Sequence, residues 1–428
     1  LDEDPDDPYL HLNLSHCYMG LRQYRLSQRH ARLACELNPK ELRNWINLSS
    51  ACYHLDDLDE GVDAAEKALA ISPGDSMALT NLGTIRKAQG QVRAATALFQ
   101  RALEADPSNL TSYTNLLLVM LYDETVTVQQ ICDVARGYAQ RHESPLVPQW
   151  PVHDNLPMPE RRLKIGFLSP DFTSHAVMYF AEPVLTRLPR QHFEIHCYFT
   201  LAAGDVVTER IKLLADRFRH VPQKDPVQTA RIIQEDGIDI LIDLAGHTAK
   251  TGLPAMAYHP APVQVTWLGY PGTTGLRSVQ WRITDHTADP QGADPLYTEK
   301  LVRLPGCFAV YRPHVRHPLH HFDPEYQVAP PPALRNGFIT FGSCNNIAKI
   351  GERAVQVWSR ILQHVPGSKM LVEGKDFSNP GATLQLRRQF GQYGIESDRL
   401  IFVQRDTRRQ YLVYHDIDIA LDLSLIHI

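Results

Sequence analysis

The chain has 428 residues, 43% of them hydrophobic and 21% charged, which is ordinary globular composition with room for two or three domains. Lys and Arg total 43 against 48 Asp and Glu, so there is no basic excess for a nucleic-acid partner or an anionic membrane surface. Seven cysteines without a CxxC pair predict free thiols in a reducing, cytoplasmic location.

Residues 8 to about 122 carry a sequence period of 34 residues, the spacing of tetratricopeptide repeats. Each unit reads as two helices, and the second ends at a residue before proline, because that residue resists the α conformation. A small alanine in the second helix lets neighbouring helices approach closely. We predict three full repeats and the first helix of a fourth within residues 1–122, from the recurrence of Asn13, Asn47, Asn81 and Asn115, of Ala34, Ala68 and Ala102, and of Pro39, Pro73 and Pro107.

The four recurring asparagines stand on the first helix of each repeat, which lines the concave groove of such arrays. An asparagine amide offers donors and an acceptor, so a ladder of them can pair with the backbone of an extended peptide of any sequence. The alternative is that these amides only solvate the inner surface or bond a neighbouring repeat. Both interpretations stay open for the predicted ladder of Asn13, Asn47, Asn81 and Asn115.

A helical stretch and a proline-rich run form a predicted connector over residues 123–160. From residue 161, apolar runs of strand length alternate with helical segments, which predicts parallel, doubly wound sheets. We place a first lobe at 161–312, a linker at 313–335 and a second lobe at 336–428. The predicted strands are 163–168, 193–199, 238–244 and 263–268 in the first lobe, and 338–341, 370–372, 400–403 and 417–421 in the second.

Two patterns have the form of metal sites but are interpreted otherwise. The linker holds four histidines, yet a proline-rich segment fixes ligand geometry poorly, so a solvated linker is preferred over a metal cluster of His314, His317, His320 and His321. Asp416 and Asp418 have DxD form, but they border a buried strand and are assigned a structural role. We therefore predict neither a metal site nor a cofactor.

The first strand of the first lobe runs into the loop 169–175. In a doubly wound lobe, ligands bind beyond the carboxyl ends of the strands, so this loop is a candidate site. Asp171 and His175, a carboxylate and an imidazole four residues apart, could orient a hydroxyl or relay its proton. The alternative is that Asp171 caps the following helix and His175 merely bonds to it.

Three more strands end in small and polar residues. In the first lobe, Gly246-His247-Thr248 follows the third strand and residues 269–275 follow the fourth. Glycines let a backbone approach a ligand and hydroxyls bind sugar, although the same residues also form ordinary turns. In the second lobe, the first strand leads through Asn346 to Lys349, and a lone lysine there can neutralise a diphosphate leaving group.

Together these features resemble the protein O-GlcNAc transferase family, whose close relatives include the plant SPINDLY proteins. The resemblance covers nearly the whole chain, and its most specific stretches are 169–172 with His175, 260–275, and 341–343 with Asn345, Asn346 and Lys349. It implies an α-solenoid of tetratricopeptide repeats followed by an α/β GT-B domain of two Rossmann-like lobes, with the second lobe incomplete.

The resemblance also implies an inverting, metal-independent transfer of a sugar from a nucleotide donor to serine or threonine of a polypeptide. It assigns Asp171, His175 and Lys349 to catalysis and the asparagine ladder to peptide binding. The predicted donor contacts are His247, Leu268, Gly269, Tyr270, Pro271, Thr273 and Asn346.

The donor stays open between UDP-GlcNAc and GDP-fucose. Many bacterial members of the family carry an Asn-Arg pair where this chain has Thr251 and Gly252, and residues 175–180 and 263–275 are closer to SPINDLY, an O-fucosyltransferase. The predicted function is transfer of GlcNAc from UDP-GlcNAc. The alternatives are O-fucosylation from GDP-fucose and a non-catalytic tetratricopeptide adaptor that binds peptides.

Both ends of the sequence favour a piece of a longer protein. It begins at Leu1 rather than Met. After the last predicted strand the family has a Gly-Thr-Thr segment that opens a helix and binds the diphosphate, whereas here residues 423–428 match the translation of a sequencing adapter. We therefore expect a truncated second lobe, and weak or no activity from this chain alone.

Overall fold

The computed structural model describes residues 6–221, 225–312, 324–374, 377, 380–406 and 411–423. Packing divides the chain into two compact units. The first is Leu1–Ser112 with Tyr122–Glu124 and Arg316–Leu425, and it contains the repeats and the smaller sheet. The second is Tyr113–Leu121 with Thr125–Val315 and Ile426–Ile428, and it contains the larger sheet.

The repeat region consists of three helix pairs and the first helix of a fourth, as predicted: α1 (Pro8–Gly20), α2 (Tyr24–Leu37), α3 (Leu42–His54), α4 (Leu58–Ile71), α5 (Ser76–Ala88), α6 (Val92–Ala105) and α7 (Leu110–Met120). In the second helix of each pair, the C-cap residue is followed directly by a proline, which ends the helix. The recurring alanines Ala34, Ala68 and Ala102 have no exposed surface. A larger side chain there would push the close-packed helices apart.

The turn inside each repeat places one residue in the left-handed region, again at intervals of 34. Arg22, Asp56 and Gly90 have φ values of 59°, 61° and 74°. Glycine takes this conformation without steric cost, so the third turn, between α5 and α6, is the relaxed one. Gly90 of this turn lies beside Ile347, which belongs to the same compact unit.

The second unit alternates strands and helices after a connector helix: α8 (Val128–His142), β1 (Leu163–Ser169), α9 (Met178–Arg187), β2 (Phe193–Phe199), α10 (Val206–Leu214), β3 (Arg217–His220), α11 (Pro226–Glu235), β4 (Ile240–Asp243), α12 (Leu253–Met256), β5 (Val263–Thr266), β6 (Trp281–Asp285) and β7 (Lys300–Leu304). The strands form one parallel sheet in the order β3-β2-β1-β4-β5-β6-β7. Phe167 and Leu168 of β1 are both buried, so the sheet is covered on both faces. The four predicted strands of this lobe are confirmed.

The first unit also contains the smaller sheet together with its helices: α13 (Ala333–Asn336), β8 (Thr340–Ser343), α14 (Glu352–His364), β9 (Lys369–Gly374), α15 (Pro380–Gln392), β10 (Leu400–Gln404) and β11 (Ile419–Ala420). Its parallel strands follow the order β10-β9-β8-β11. Val355, Met370 and Phe390 have no exposed surface and form its core. No helix among the described residues is both long and apolar enough to cross a membrane.

Candidate active site

The loop after β1 brings Asp171 and His175 together at the carboxyl edge of the larger sheet. His175 Nδ1 lies 3.5 Å from Asp171 Oδ1, and the same nitrogen accepts a 3.4 Å hydrogen bond from the Val177 amide. The two contacts require opposite tautomers, since the amide needs a bare Nδ1 and the carboxylate a protonated one. A small movement of the ring toward either partner therefore decides which ring nitrogen can accept a proton.

Asp171 and His175 differ in exposure. The Asp171 side chain is 15% exposed and the His175 side chain 50%. Burial raises the pKa of Asp171, and the nearby imidazole works against this rise. The alternative that Asp171 caps the next helix is wrong, because α9 follows Val177 and has no side-chain cap among the described residues. The pair is therefore free to orient and deprotonate a hydroxyl.

Asp243, at the end of the neighbouring strand β4, is a second carboxylate of this edge that the sequence analysis missed. It has no exposed surface and accepts hydrogen bonds of 2.8 to 3.1 Å from the amides of Ala245 and Gly246 and the hydroxyl of Thr266. Burial raises the pKa of Asp243 to about 6; these hydrogen bonds work against the rise, and the charge of Asp171 adds to it. An acid that ends an apolar strand at this edge was the available signal.

His247, a predicted donor contact, is fully buried. Its Nε2 donates a 2.7 Å hydrogen bond to the Thr274 carbonyl, and its Nδ1 has no hydrogen-bond partner among the described residues. The rings of Tyr138 and Tyr270 approach edge-on, with centroids 4.8 and 5.4 Å away. Burial lowers the pKa of His247 to about 4, so the ring is neutral at pH 7 and holds the 274 backbone in place.

The predicted donor contacts Leu268, Gly269 and Pro271 lie where the chain turns sharply after β5. Leu268 has a φ of 73°, a conformation that residues with side chains rarely adopt. A Cβ on Gly269 would overlap the carbonyl oxygen of Leu244, so only glycine fits there. Leu268, Gly269 and Pro271 keep partly exposed surface, so they are in contact with solvent.

Thr273, another predicted donor contact, is bound from within the protein. It is buried, and its hydroxyl donates a 2.7 Å hydrogen bond to Glu299. The same carboxylate accepts a 2.7 Å bond from the Thr274 amide and a further bond from the Thr274 hydroxyl. Glu299 is itself 3% exposed. The Thr273 hydroxyl therefore fixes the loop, and the clamp was not predictable because its two halves are 26 residues apart.

Tyr270 is also fixed from within. Its ring is buried and its hydroxyl donates a 3.1 Å hydrogen bond to the Leu117 carbonyl. Arg282, which is 5% exposed, donates to the carbonyls of Tyr270 and Gly272 at 3.0 and 3.2 Å. A buried guanidinium in a strand and a buried tyrosine thus hold the segment that carries Leu268 to Pro271 in one conformation.

Asn346 and Lys349 lie in the first unit, in the loop after β8, which contains the 3-10 helix Ile347–Lys349. Asn346 caps this helix by accepting a 3.0 Å hydrogen bond from the amide two residues later. Lys349 Nζ donates a long, 3.4 Å bond to the Leu423 carbonyl. Burial lowers the pKa of Lys349, and the Asp422 carboxylate works against this. A partly desolvated ammonium with such a weak bond can be drawn to an anionic ligand.

The four asparagines of the predicted ladder are all at least partly exposed. Asn13, Asn47 and Asn81 belong to the first unit and Asn115 to the second. Asn81 donates a 3.1 Å hydrogen bond to the Ile46 carbonyl of the preceding repeat. This is the inter-repeat bond of the alternative interpretation, but it uses one amide hydrogen and leaves the amide oxygen available to a peptide N–H.

The patterns with the form of metal sites have structural contacts where they are described. Asp418 accepts 2.9 Å hydrogen bonds from the amides of Ala333 and Thr340, and Asp416 pairs with Arg335. These contacts support the structural role, which stays a prediction for the DxD pair. The histidines of the linker, 314 to 321, lie outside the described residues.

Cys52, Asp57 and Glu60 in the repeats form a further group whose spacing would suit a metal ion. Glu60 already accepts a 2.6 Å hydrogen bond from Arg32, which lowers its pKa to about 2. Gln28 donates to both Asp57 and Glu60. Because a guanidinium and an amide occupy these carboxylates, the cluster joins the helices of adjacent repeats.

Comparisons with known proteins identify the family. Residues 146–323 match Glycosyl transferase family 41, and residues 42–75 and 78–109 match tetratricopeptide repeats. A mutant of the O-GlcNAc transferase of Thermobaculum terrenum superimposes with a TM-score of 0.88 at 30% identity, over 97% of this chain and 78% of that one. The chain belongs to glycosyl transferase family 41. The predicted fold class, repeats followed by a GT-B domain of Rossmann-like lobes, and the predicted class of enzyme, a glycosyltransferase, are confirmed.

Relatives within the family include plant proteins named as probable UDP-N-acetylglucosamine–peptide N-acetylglucosaminyltransferases. SPINDLY of Solanum lycopersicum is 38% identical over 330 residues and SPINDLY of Arabidopsis thaliana 40% identical over 327, or 75% and 74% of this chain. SEC of Arabidopsis thaliana is 30% identical over 272 residues, or 62% of this chain and 27% of SEC. The chain spans about a third of the length of the SPINDLY relatives, 34% in each case.

Proposed function

We propose that the protein to which this chain belongs transfers N-acetylglucosamine from UDP-N-acetylglucosamine to serine or threonine of polypeptides, with inversion and without a metal ion or other cofactor. The observation that carries the proposal is the Asp171–His175 pair at the carboxyl edge of β1, within the segment that matches family 41. The names of the plant relatives support this donor and a peptide acceptor.

Inversion requires the acceptor oxygen to attack the anomeric carbon from the face opposite the diphosphate. The new carbon–oxygen bond forms as the bond from carbon to the phosphate oxygen breaks, and the hydroxyl proton must go to a base. With Nδ1 protonated and directed at Asp171, the half-exposed His175 presents a bare Nε2 for that proton. Asp171 then stabilises the imidazolium by its charge.

The leaving diphosphate gains negative charge, which Lys349 neutralises in this proposal. Its ammonium is already poorly solvated, as the lowered pKa of Lys349 reflects, so it has little hydration to lose when it meets an anion. A lysine in this role is the reason for proposing a metal-free reaction. We expect undiminished turnover in excess EDTA, and a loss that Mg²⁺ or Mn²⁺ restores would contradict the metal-free mechanism.

The acceptor polypeptide binds, in this proposal, along the ladder of Asn13, Asn47, Asn81 and Asn115, which reads backbone rather than sequence. We place the reaction in the cytoplasm. All seven cysteines are free thiols, and Cys17 and Cys307 are exposed, which suits a reducing compartment.

GDP-fucose is the second candidate donor. The favouring observation is that the sequence around 175–180 and 263–275 is closer to SPINDLY, which the resemblance describes as an O-fucosyltransferase. Calorimetric titration of the full-length protein with UDP-N-acetylglucosamine and GDP-fucose side by side decides between them. If GDP-fucose binds tightly and UDP-N-acetylglucosamine does not, the donor is GDP-fucose and the proposal of UDP-N-acetylglucosamine is wrong.

Replacement of Lys349 tests the proposed function directly. We expect Lys349→Ala in the full-length protein to lower turnover at least about a hundred-fold without unfolding it, because one electrostatic contact to the developing charge is lost. Lys40→Ala, at an exposed position of the repeats, is the matched control and should leave turnover unchanged. Equal turnover of Lys349→Ala and wild type would refute the proposal. If peptides bind but neither nucleotide sugar does, the protein is instead an adaptor.

A further inference from the structure

The 3-10 helix that carries Lys349 is held from its amino-terminal side by the repeats. Ile347, its first residue, is 4% exposed. Its Cγ1 lies 3.5 Å from the position that a Cβ on Gly90 would occupy, so the side chain packs on the turn between α5 and α6. Both residues belong to the first unit. The repeat turn is therefore a rigid support for the start of this short helix.

Glu124 holds the other side of the same loop. Lys349 is followed two residues later by Gly351, the N-cap of α14, and glycine has no side chain with which to cap a helix. The Glu124 carboxylate takes that place: Oε2 accepts a 3.1 Å hydrogen bond from the Arg353 amide, and a Cβ on Gly351 would overlap Oε1. α14 is thus capped by a residue 229 positions away in the sequence.

The segment that presents Glu124 is itself anchored. Tyr122–Glu124 belongs to the first unit, although the residues before and after it belong to the second. Asp123 is 6% exposed and lies 3.9 Å from Arg93 of α6 in an ion pair. Glu124 is more exposed, and water screens its charge. It therefore stabilises the start of α14 mainly through its hydrogen bond to the Arg353 amide.

We propose that Glu124 is a positioning residue for Lys349. The backbone from Ile347 to Gly351 is pinned between the repeat turn and the Glu124 carboxylate, and Lys349 lies between these two anchors. Loss of the cap frees the carboxyl-terminal side of the loop, so that Nζ spends less time where it can meet a diphosphate. The inference rests on the proposed role of Lys349.

The test measures UDP affinity of the full-length protein by calorimetry, together with donor KM and kcat. We expect Glu124→Ala to weaken UDP binding roughly five-fold, the factor that corresponds to one lost helix cap. Donor KM should rise and kcat should fall, because Lys349 also meets the charge that develops on the leaving diphosphate. Glu124→Gln keeps an acceptor oxygen and should bind UDP nearly as wild type does. Glu104→Ala removes an exposed acid from α6 and serves as the matched control.

A rescue and a double variant separate positioning from a general loss of structure. Gly351→Ser in the Glu124→Ala background gives α14 a cap of its own in the vacated space, because serine is a favoured N-cap and the φ of −74° and ψ of 176° suit it. UDP affinity should return. In the Lys349→Ala background, Glu124→Ala should cause no further loss of UDP affinity.

Three results would overturn the inference: unchanged UDP affinity in Glu124→Ala, no rescue by Gly351→Ser, or an equal further loss in the Lys349→Ala background. If Lys349→Ala itself binds UDP as wild type does, the proposed role of Lys349 fails instead. Hydrogen exchange in the first turn of α14 distinguishes the cases, because it reports the lost cap in Glu124→Ala whether or not UDP binds.

Discussion

His247 should make the second unit sensitive to acid. Its ring is fully buried, and burial lowers the pKa of His247 from 6.5 to about 4. Above pH 6.5 the ring is neutral in both states. Between pH 6.5 and 4 only the unfolded chain binds the proton, so the free energy of unfolding falls as the pH falls. At about 1.4 kcal/mol per pH unit, this pKa gap is worth about 3 kcal/mol.

Asp243 opposes this effect. Burial raises the pKa of its carboxyl from 3.8 to about 6, so between pH 6 and 3.8 the folded state binds a proton that the unfolded state does not. The free energy of unfolding then rises as the pH falls, by about 3 kcal/mol. The two contributions nearly cancel in the wild type, and the contribution of His247 must be isolated by substitution.

His247→Gln isolates it, because the glutamine amide can still donate to the Thr274 carbonyl but cannot take a proton. Urea titrations at pH 7.5 and 4.5, monitored by hydrogen exchange of the peptide that contains β4 and β5, give the free energy of unfolding of the second unit. We expect it to rise by about 2–3 kcal/mol more in the variant than in wild type as the pH falls. The cost of packing glutamine is the same at both pH values, so it does not affect the difference in free energy of unfolding between them. An identical pH dependence in the two proteins would refute the reasoning, since His247 would then bind protons equally in both states.

Three other predictions concern the same loops and the repeats. Gly269→Ala places a Cβ against the Leu244 carbonyl oxygen and should destabilise the second unit by about 3 kcal/mol in urea unfolding. Gly292→Ala is the control, because nothing lies within 4 Å of the new Cβ there but φ is 96°. It should show the smaller cost of backbone strain alone. Glu299→Ala leaves the Thr273 and Thr274 donors without their buried acceptor. It should lower the free energy of unfolding by about 3 kcal/mol and speed hydrogen exchange over 270–276, whereas Glu299→Gln should lower it about half as much. Equal exchange in wild type and both variants would show that Glu299 does not hold this loop. Asn81→Ala should weaken binding of an unmodified acceptor peptide roughly five-fold in fluorescence anisotropy, through one lost hydrogen bond, and equal affinity would leave Asn81 with only its bond to the preceding repeat.

The repeats and the central strands could be predicted from sequence because their signals are local. A 34-residue period, a proline after each second helix and apolar runs of strand length fix α1 to α7 and β1, β2, β4 and β5. The strands β3, β6 and β7 were missed. Arg217–His220 is mostly polar and only partly buried, so no hydrophobic run in the sequence indicates this strand. Lys300–Leu304 contains apolar residues, but it is short and its side chains are exposed or only partly buried.

Site residues were predictable only where a motif lies within one loop. Asp171 and His175 are four residues apart, and the structure brings them together. The partners that hold the neighbouring loops come from distant positions, as Glu299 does for Thr273 and Arg282 for Tyr270. The sequence also does not show whether the side chains of Tyr270, Thr273 and His247 face the protein interior or the solvent. A polar side chain in a loop can be buried with hydrogen-bond partners or exposed, and the sequence pattern is the same in both cases.

The hydrogen bond between Tyr270 and Leu117 shows that the last helix of the repeat array packs as part of the unit that contains the larger sheet. α7 continues the 34-residue period, yet from Tyr113 onward it packs with the larger sheet, and the Leu117 carbonyl receives the Tyr270 hydroxyl. An exchange of the repeats at residue 122 would therefore remove the Leu117 carbonyl to which Tyr270 donates, together with the proposed peptide-binding asparagines. When the repeats before it change, α7 must therefore keep its fit to the larger sheet.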